Sequence, residues 1–239
     1  MKLNRKIIVS AMFVVVLFSF MDFGAALGDD GDGNSLDIVG LSLPGDIIIT
    51  AGGKFAGLIP GHWDHTAIYL GWSYHYDAEA EYSHWGYFCI EATPDGVVFN
   101  DVSRLNNADE AELVRVTGVT DWIRSKVIEY ANAYATGAWE TSWFRTTWKW
   151  GSKTEYDYNY LYGMSTYKSM YCSELCAKAY DWAMDGAPGN PWDYDYDNSD
   201  SNTNTIDADP GWSGSDYFWA CAPSEIHDSA RTYLIAHSY

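Results

Sequence analysis

The hydrophobic pattern of this chain changes period once: short β-rich runs fill the stretch up to Val116, and from Asp121 the apolar residues recur at helical spacing. The first runs are Asp37–Val39 and Asp46–Thr50 (DIIIT), divided by a turn at Pro44 and Gly45. His65–Gly71 (HTAIYLG) and Tyr87–Ala92 (YFCIEA) follow, joined by a polar, aromatic connection and expected to pair antiparallel by proximity. Val97–Asn100 and Glu112–Val116 extend the expected sheet to about five or six strands. Beyond Thr120, a suitable N-cap, Trp122, Val127, Ile128, Ala131 and Tyr134 share one helical face, which Gly137 ends. A second helix is expected from about Met170 to Met184, turning Cys172, Leu175, Cys176, Ala179 and Ala183 toward a core. Tyr217–Ala222 reads as a further strand before a final apolar segment.

The N-terminus reads as a secretory signal: Lys2, Arg5 and Lys6 precede an apolar run from Ile7 to Phe20, and Gly24, Ala25 and Ala26 supply small residues at a cleavage point. The run is shorter than the roughly 20 residues of a bilayer span. Residues 1–26 are therefore expected to be removed, 27–36 to form a solvated linker, and 37–239 to form one domain with inserts near 141–167 and 191–212. Such a protein is secreted or extracytoplasmic and keeps no stable membrane insertion after cleavage. Losing the signal takes the formal charge from −19 to about −21. That acidity repels nucleic-acid phosphates and argues against a nucleic-acid partner.

Four cysteines, Cys89, Cys172, Cys176 and Cys221, leave a reactive thiol and disulfides both open in an oxidising compartment. Cys172 falls in the first turn of the expected helix, where unpaired N–H groups and the helix dipole favour a thiolate. On spacing alone, a structural thiol is an equal reading. His65 opens a strand, at a sheet edge. If the His65 and Tyr87 strands pair around a connection centred near Ala78, position 65 lies opposite position 91, and Glu91 can orient the imidazole.

The ordered set PGDIII (Pro44 onward), DHTAIYLG (Asp64 onward), IEAT with Gly96-Val97, YCSEL (Tyr171 onward) with Ala179-Tyr180, and APSEI (Ala222 onward) resembles the permuted branch of the NlpC-like papain superfamily, which includes YiiX/YebB-type amidases and hydrolases. The resemblance runs from about Leu41 to Ile226, and YCSEL and HTAIYLG are its most specific parts. It implies an α+β, papain-like (circularly permuted NlpC-like) fold, with a small antiparallel sheet packed on a nucleophile-bearing helix. It also implies Cys172 as nucleophile, His65 as general base and later acid, and Glu91 as the third member. The order His65, Glu91, Cys172 is that of the permuted branch. The inserts around Trp143–Tyr160 and Pro191–Trp212 depart from the family pattern and obscure the substrate.

The expected protein is a secreted cysteine peptidase or amidase that cleaves amide bonds, with peptides of the cell envelope as substrate. The alternatives are an ester or lipid acyl hydrolase or acyltransferase of the same fold, and a non-catalytic binder of envelope polymer. No cofactor and no metal is expected. His62 and His65 lack an obvious third ligand for zinc, and the Asp193, Asp195, Asp197 run lacks the glycine and glutamate of a calcium loop. His75 and His84 read as solvent-facing, and the aromatics from Trp139 to Tyr160 as packing within their insert. If a disulfide exists, Cys176 with Cys221 is the expected pair, since the latter precedes the family-like Pro223 segment. Four reduced thiols are the rival reading.

Overall fold

In the computed structural model the described residues are 38–52, 61–93, 96–135, 139–142, 145–148, 171–187, 206 and 221–238. The order is α1 (Ile38–Leu41), β1 (Ile47–Ala51), β2 (His65–Asp77), β3 (Tyr82–Thr93), β4 (Gly96–Asp101), a 3-10 turn (Val102–Asn107), β5 (Glu110–Val116) and α2 (Asp121–Ala135). A small hairpin, β6 (Trp139–Ser142) with β7 (Arg145–Trp148), comes next, followed by α3 (Cys172–Met184), α4 (Pro223–Asp228) and β8 (Thr232–Ser238). The fold is α+β. Six strands form one antiparallel sheet in the order β4-β3-β2-β1-β5-β8.

Two apolar layers explain why DIIIT reads as a continuous hydrophobic run and not as an alternation. Ile47 and Ile49 face a core shared with α2 and α3, which holds Val127, Tyr130, Leu175 and Trp182. Ile48 faces the other side, where Ala67, Tyr69, Cys89 and Leu113 pack under Val102 and Leu105 of the 3-10 turn. A central strand covered on both faces has no polar side to show. The two helices pack on each other, and α3 also lies against β2 and β3. Buried Asp46 fixes α2 to the sheet by accepting from Arg115 of β5 at 2.7 Å and Arg124 of α2 at 2.9 Å. The Tyr180 hydroxyl of α3 donates to the Gly45 carbonyl in the same corner.

Several expectations need correcting. Asp37–Val39 was read as extended, yet residues 38–41 form one helical turn. The aromatic connection of the central hairpin is itself strand: β2 continues to Asp77 and β3 starts at Tyr82. Its pairing steps by one residue between Tyr69 and Gly71, a β-bulge carried by Gly71 with φ +92°. Beyond that step Trp72, Tyr74, Tyr76 and Trp85 are exposed, and Trp72 stacks on Trp85 with centroids 6.5 Å apart. His75 and His84 are not free in solvent: His75 stacks on Phe99 at 4.0 Å, and His84 faces Asp101. Trp122 is exposed, so the buried face of α2 begins at Val127. The N-cap holds, since Thr120 Oγ1 accepts from the Ile123 N–H. The final apolar segment is β8, the sheet's sixth strand. No helix among the described residues is long and apolar enough to cross a membrane. The expected signal, the Asp193–Asp197 run and the Tyr217–Ala220 part of the last expected strand lie outside the described residues, and its remainder, Cys221 and Ala222, is not strand but leads into α4.

Candidate active site

The turn that presents Cys172 is gripped from both sides. Tyr171 is extended and Cys172 opens α3, so the first N–H groups of the helix have no acceptor within it. The Tyr171 hydroxyl accepts from the Cys221 N–H at 2.8 Å, and the Ser173 hydroxyl donates to the Cys221 carbonyl at 2.6 Å. One turn on, buried Lys178 neutralises buried Glu174 at 2.6 Å, and Glu174 accepts from the Tyr171 N–H. The segment just before α4 thus serves as a brace for the helix start.

His65 is the first residue of β2, paired with Thr50 of β1. Its Nε2 lies 2.5 Å from Glu91 Oε2, a short contact between imidazole and carboxylate. The contact was expected but not its register. Ile68 pairs with Ile90, so residue 67 is the one across from 91, and His65 meets Glu91 diagonally. Glu91 is fully buried, and its other oxygen accepts from Asn100 Nδ2 at 2.8 Å and Arg104 Nε at 3.2 Å. Neither partner was anticipated. Asn100 sits two strands from His65, and Arg104 reaches Glu91 only because the chain winds into a 3-10 turn after β4.

The Cys172 thiol and the His65 imidazole are near enough for each to shift the other's proton affinity. Burial works against charge on every member of this row, and the neighbours reverse it. For Cys172 burial pushes the thiol up, but the His65 charge and hydrogen bond, helped by bonds from Thr66, bring it below the ordinary thiol value. For His65 burial pushes down, while the Cys172 charge and bond and the Glu91 bond and charge raise it to about 10. Glu91 stays below the usual carboxylate range because His65, Arg104 and Asn100 outweigh its burial. These opposed shifts favour the proton on the imidazole over the thiol.

The other thiols differ. Burial pushes Cys176 up to about 12, and Cys89 is pushed well above its ordinary value. All four cysteines are free. The expected Cys176–Cys221 bridge is absent because Cys176 turns its sulfur to Thr66 Oγ1 of β2, at 3.5 Å, while Cys221 is held beside the start of α3. His62 and His65 do not converge either: His62 Nε2 lies 3.0 Å from Glu110 Oε2, on a different carboxylate. Neither a family model, nor a curated protein, nor a solved structure matches this chain.

Proposed function

We propose that the protein is a cysteine hydrolase of the permuted, NlpC-like papain kind, acting outside the cytoplasm on amide bonds of cell-envelope peptides. One observation carries the reading. Buried Glu91, held by Asn100 and Arg104, lies 2.5 Å from His65 beside a cysteine that opens a helix, and this neighbourhood lowers the Cys172 thiol whereas burial raises Cys89 and Cys176. A nucleophile on a helix start and a histidine on an antiparallel sheet, in the order His65, Glu91, Cys172, support the permuted family as the frame.

In the first step the Cys172 thiolate attacks the scissile carbonyl carbon, forming the C–S bond and pushing the π electrons onto oxygen. First-turn N–H groups of α3, which have no acceptor within the helix, are the donors this reading assigns to that oxyanion. As the C–N bond breaks, His65 passes its proton to the leaving amine and becomes the neutral base. Water then attacks the thioester, His65 takes its proton, and the thiolate leaves with the imidazolium restored. Glu91, bound by Asn100 and Arg104, holds the ring throughout. Cys172 has no exposed surface and the His65 side chain keeps 13% of its own, so access to the sulfur requires local movement.

Alkylation of the folded protein with limiting iodoacetamide, followed by peptide mapping, tests this. Cys172 is expected to react first, below the pH at which ordinary thiols react, and its modification is expected to stop hydrolysis of envelope-type peptides. First reaction at another cysteine, or hydrolysis that survives Cys172→Ala, overturns the proposal.

A further inference from the structure

Past the Gly71 bulge, the ribbon of β2 and β3 turns one face outward with its aromatics and the other toward the end of β4. On that second face Asp77 of β2, His84 of β3 and Asp101 of β4 bring one potential ligand atom each within 4.8 Å of one another. Asp77 is buried and already oriented: Oδ1 accepts from the N–H groups of Glu79 and Ala80, each at 3.0 Å, and Oδ2 from that of Asp101 at 3.2 Å. Three bonds leave its carboxylate one of about four acceptor positions. Asp101 is anchored through Oδ1, which accepts from the Ser103 N–H at 2.9 Å, so Oδ2 is free to face His84.

The distance between those two side chains is informative. Asp101 Oδ2 and His84 Nε2 are 3.3 Å apart, long for a charge-assisted bond of about 2.7–2.9 Å. It is close to the roughly 3.4 Å that separates two ligands of one tetrahedral zinc with bonds near 2.0–2.1 Å. His84 Nδ1 is buried with no hydrogen-bond partner among the described residues, so the ring's hydrogen bonding there reduces to that one long contact. Gly86 lets the two ligand atoms come together beside it: a Cβ there would lie 2.6 Å from Asp101 Oδ2 and 3.2 Å from His84 Nε2, crowding both. Both side chains keep about a quarter of their surface in solvent, which gives an ion an entry and room for water ligands.

We propose that Asp77, His84 and Asp101 bind one divalent transition-metal cation of the zinc class, pinning the outer ribbon to the end of β4. One imidazole with two carboxylates suits such a cation better than calcium or magnesium, which prefer oxygen alone. The site meets the row of Glu91 through the chain itself. Asn100 immediately precedes Asp101, and Asp101 caps the 3-10 turn that carries Arg104. The ion would therefore stiffen the frame that holds Glu91, without touching substrate.

Calorimetric titration of metal-free, full-length protein with Zn²⁺, with bound metal counted after desalting, tests the site. One equivalent is expected, weakened at least tenfold in His84→Ala and in Asp101→Asn, and retained in His237→Ala, whose ring lies 3.5 Å from Glu110 and 3.3 Å from Glu112. Thermal unfolding should rise with Zn²⁺ in the native protein and not in these two variants. Co²⁺ in the unaltered protein reads the ligands without any substitution: a spectrum of nitrogen and oxygen ligation is expected. Absence of binding, loss in His237→Ala but not in His84→Ala, or a thiolate charge-transfer band would overturn the assignment.

Discussion

Two histidines three residues apart, His62 and His65, each meet a glutamate through Nε2, and the pairs could hardly differ more in consequence. His65 and Glu91 have side chains 13% and 0% exposed and are 2.5 Å apart; His62 and Glu110 are 59% and 28% exposed and 3.0 Å apart. At the outer pair water screens both charges, and the imidazole has no thiol beside it. At the inner pair burial would favour neutral groups, but a thiol on one side and a braced carboxylate on the other keep the ring charged. The comparison teaches that a His–Glu contact alone does not set a ring apart. Burial combined with a third titratable partner does, and that is the difference on which the proposed catalysis rests.

The sharpest way to break this contrast is to remove a member of the inner row. Cys172→Ala and His65→Ala are each expected to lower kcat/KM by ~10⁴ or more with the fold intact by circular dichroism, since nucleophile and base act as a unit. Glu91→Gln is expected to cost roughly 10²-fold in the same assay. The pH profile sharpens that result. In the native protein hydrolysis should rise through the lowered Cys172 value, hold, and fall near pH 10 as His65 loses the proton its leaving group needs. Alkylation of Cys172 should follow the acid limb but not the alkaline one, because the thiolate persists. Without the Glu91 charge the alkaline limb should move to lower pH, and an unmoved limb would show that Glu91 does not hold the proton on His65.

A smaller effect is expected from Arg104→Ala, which removes one cation from Glu91 and leaves Asn100 in place. About 1 kcal/mol, or roughly fivefold in kcat/KM, is the expected loss, with the alkaline limb shifted in the same sense as in Glu91→Gln. His62→Ala closes the series with no change in rate or pH profile. A loss comparable to that of His65→Ala would erase the distinction between the two pairs.

Much of this row could be read from the chain, because its signals are local. A cysteine at the start of an apolar helical stripe and a histidine at the start of a β-branched run are visible in a few consecutive residues. The Glu91 contact was anticipated although the register was not: an extra residue at a bulge leaves no mark on composition, and a glutamate is long enough to bridge the diagonal. Asn100 and Arg104 stayed hidden because their meeting with Glu91 depends on strand order and on a 3-10 turn. The ribbon from Trp72 to Trp85 was taken for a connection because it lacks an inward apolar alternation, although Trp and Tyr favour strands. Asp37–Val39 was too short for pattern to separate a helical turn from a strand.

The step in pairing between Tyr69 and Gly71 works as a change of reading frame within the fold. Upstream of it, Thr66 and Ile68 share a side of β2 with α3; downstream, the odd-numbered residues 71, 73, 75 and 77 take over that side, opposite Phe88, Gly86, His84 and Tyr82. Deleting the extra residue, Leu70, would close the bulge and keep each later pair in register, whereas inserting one more residue without a second bulge would exchange the two sides of everything beyond. The aromatics would then turn inward, and Asp77 would be carried away from His84 and Asp101. The bulge is where this stretch of chain absorbs a change in length.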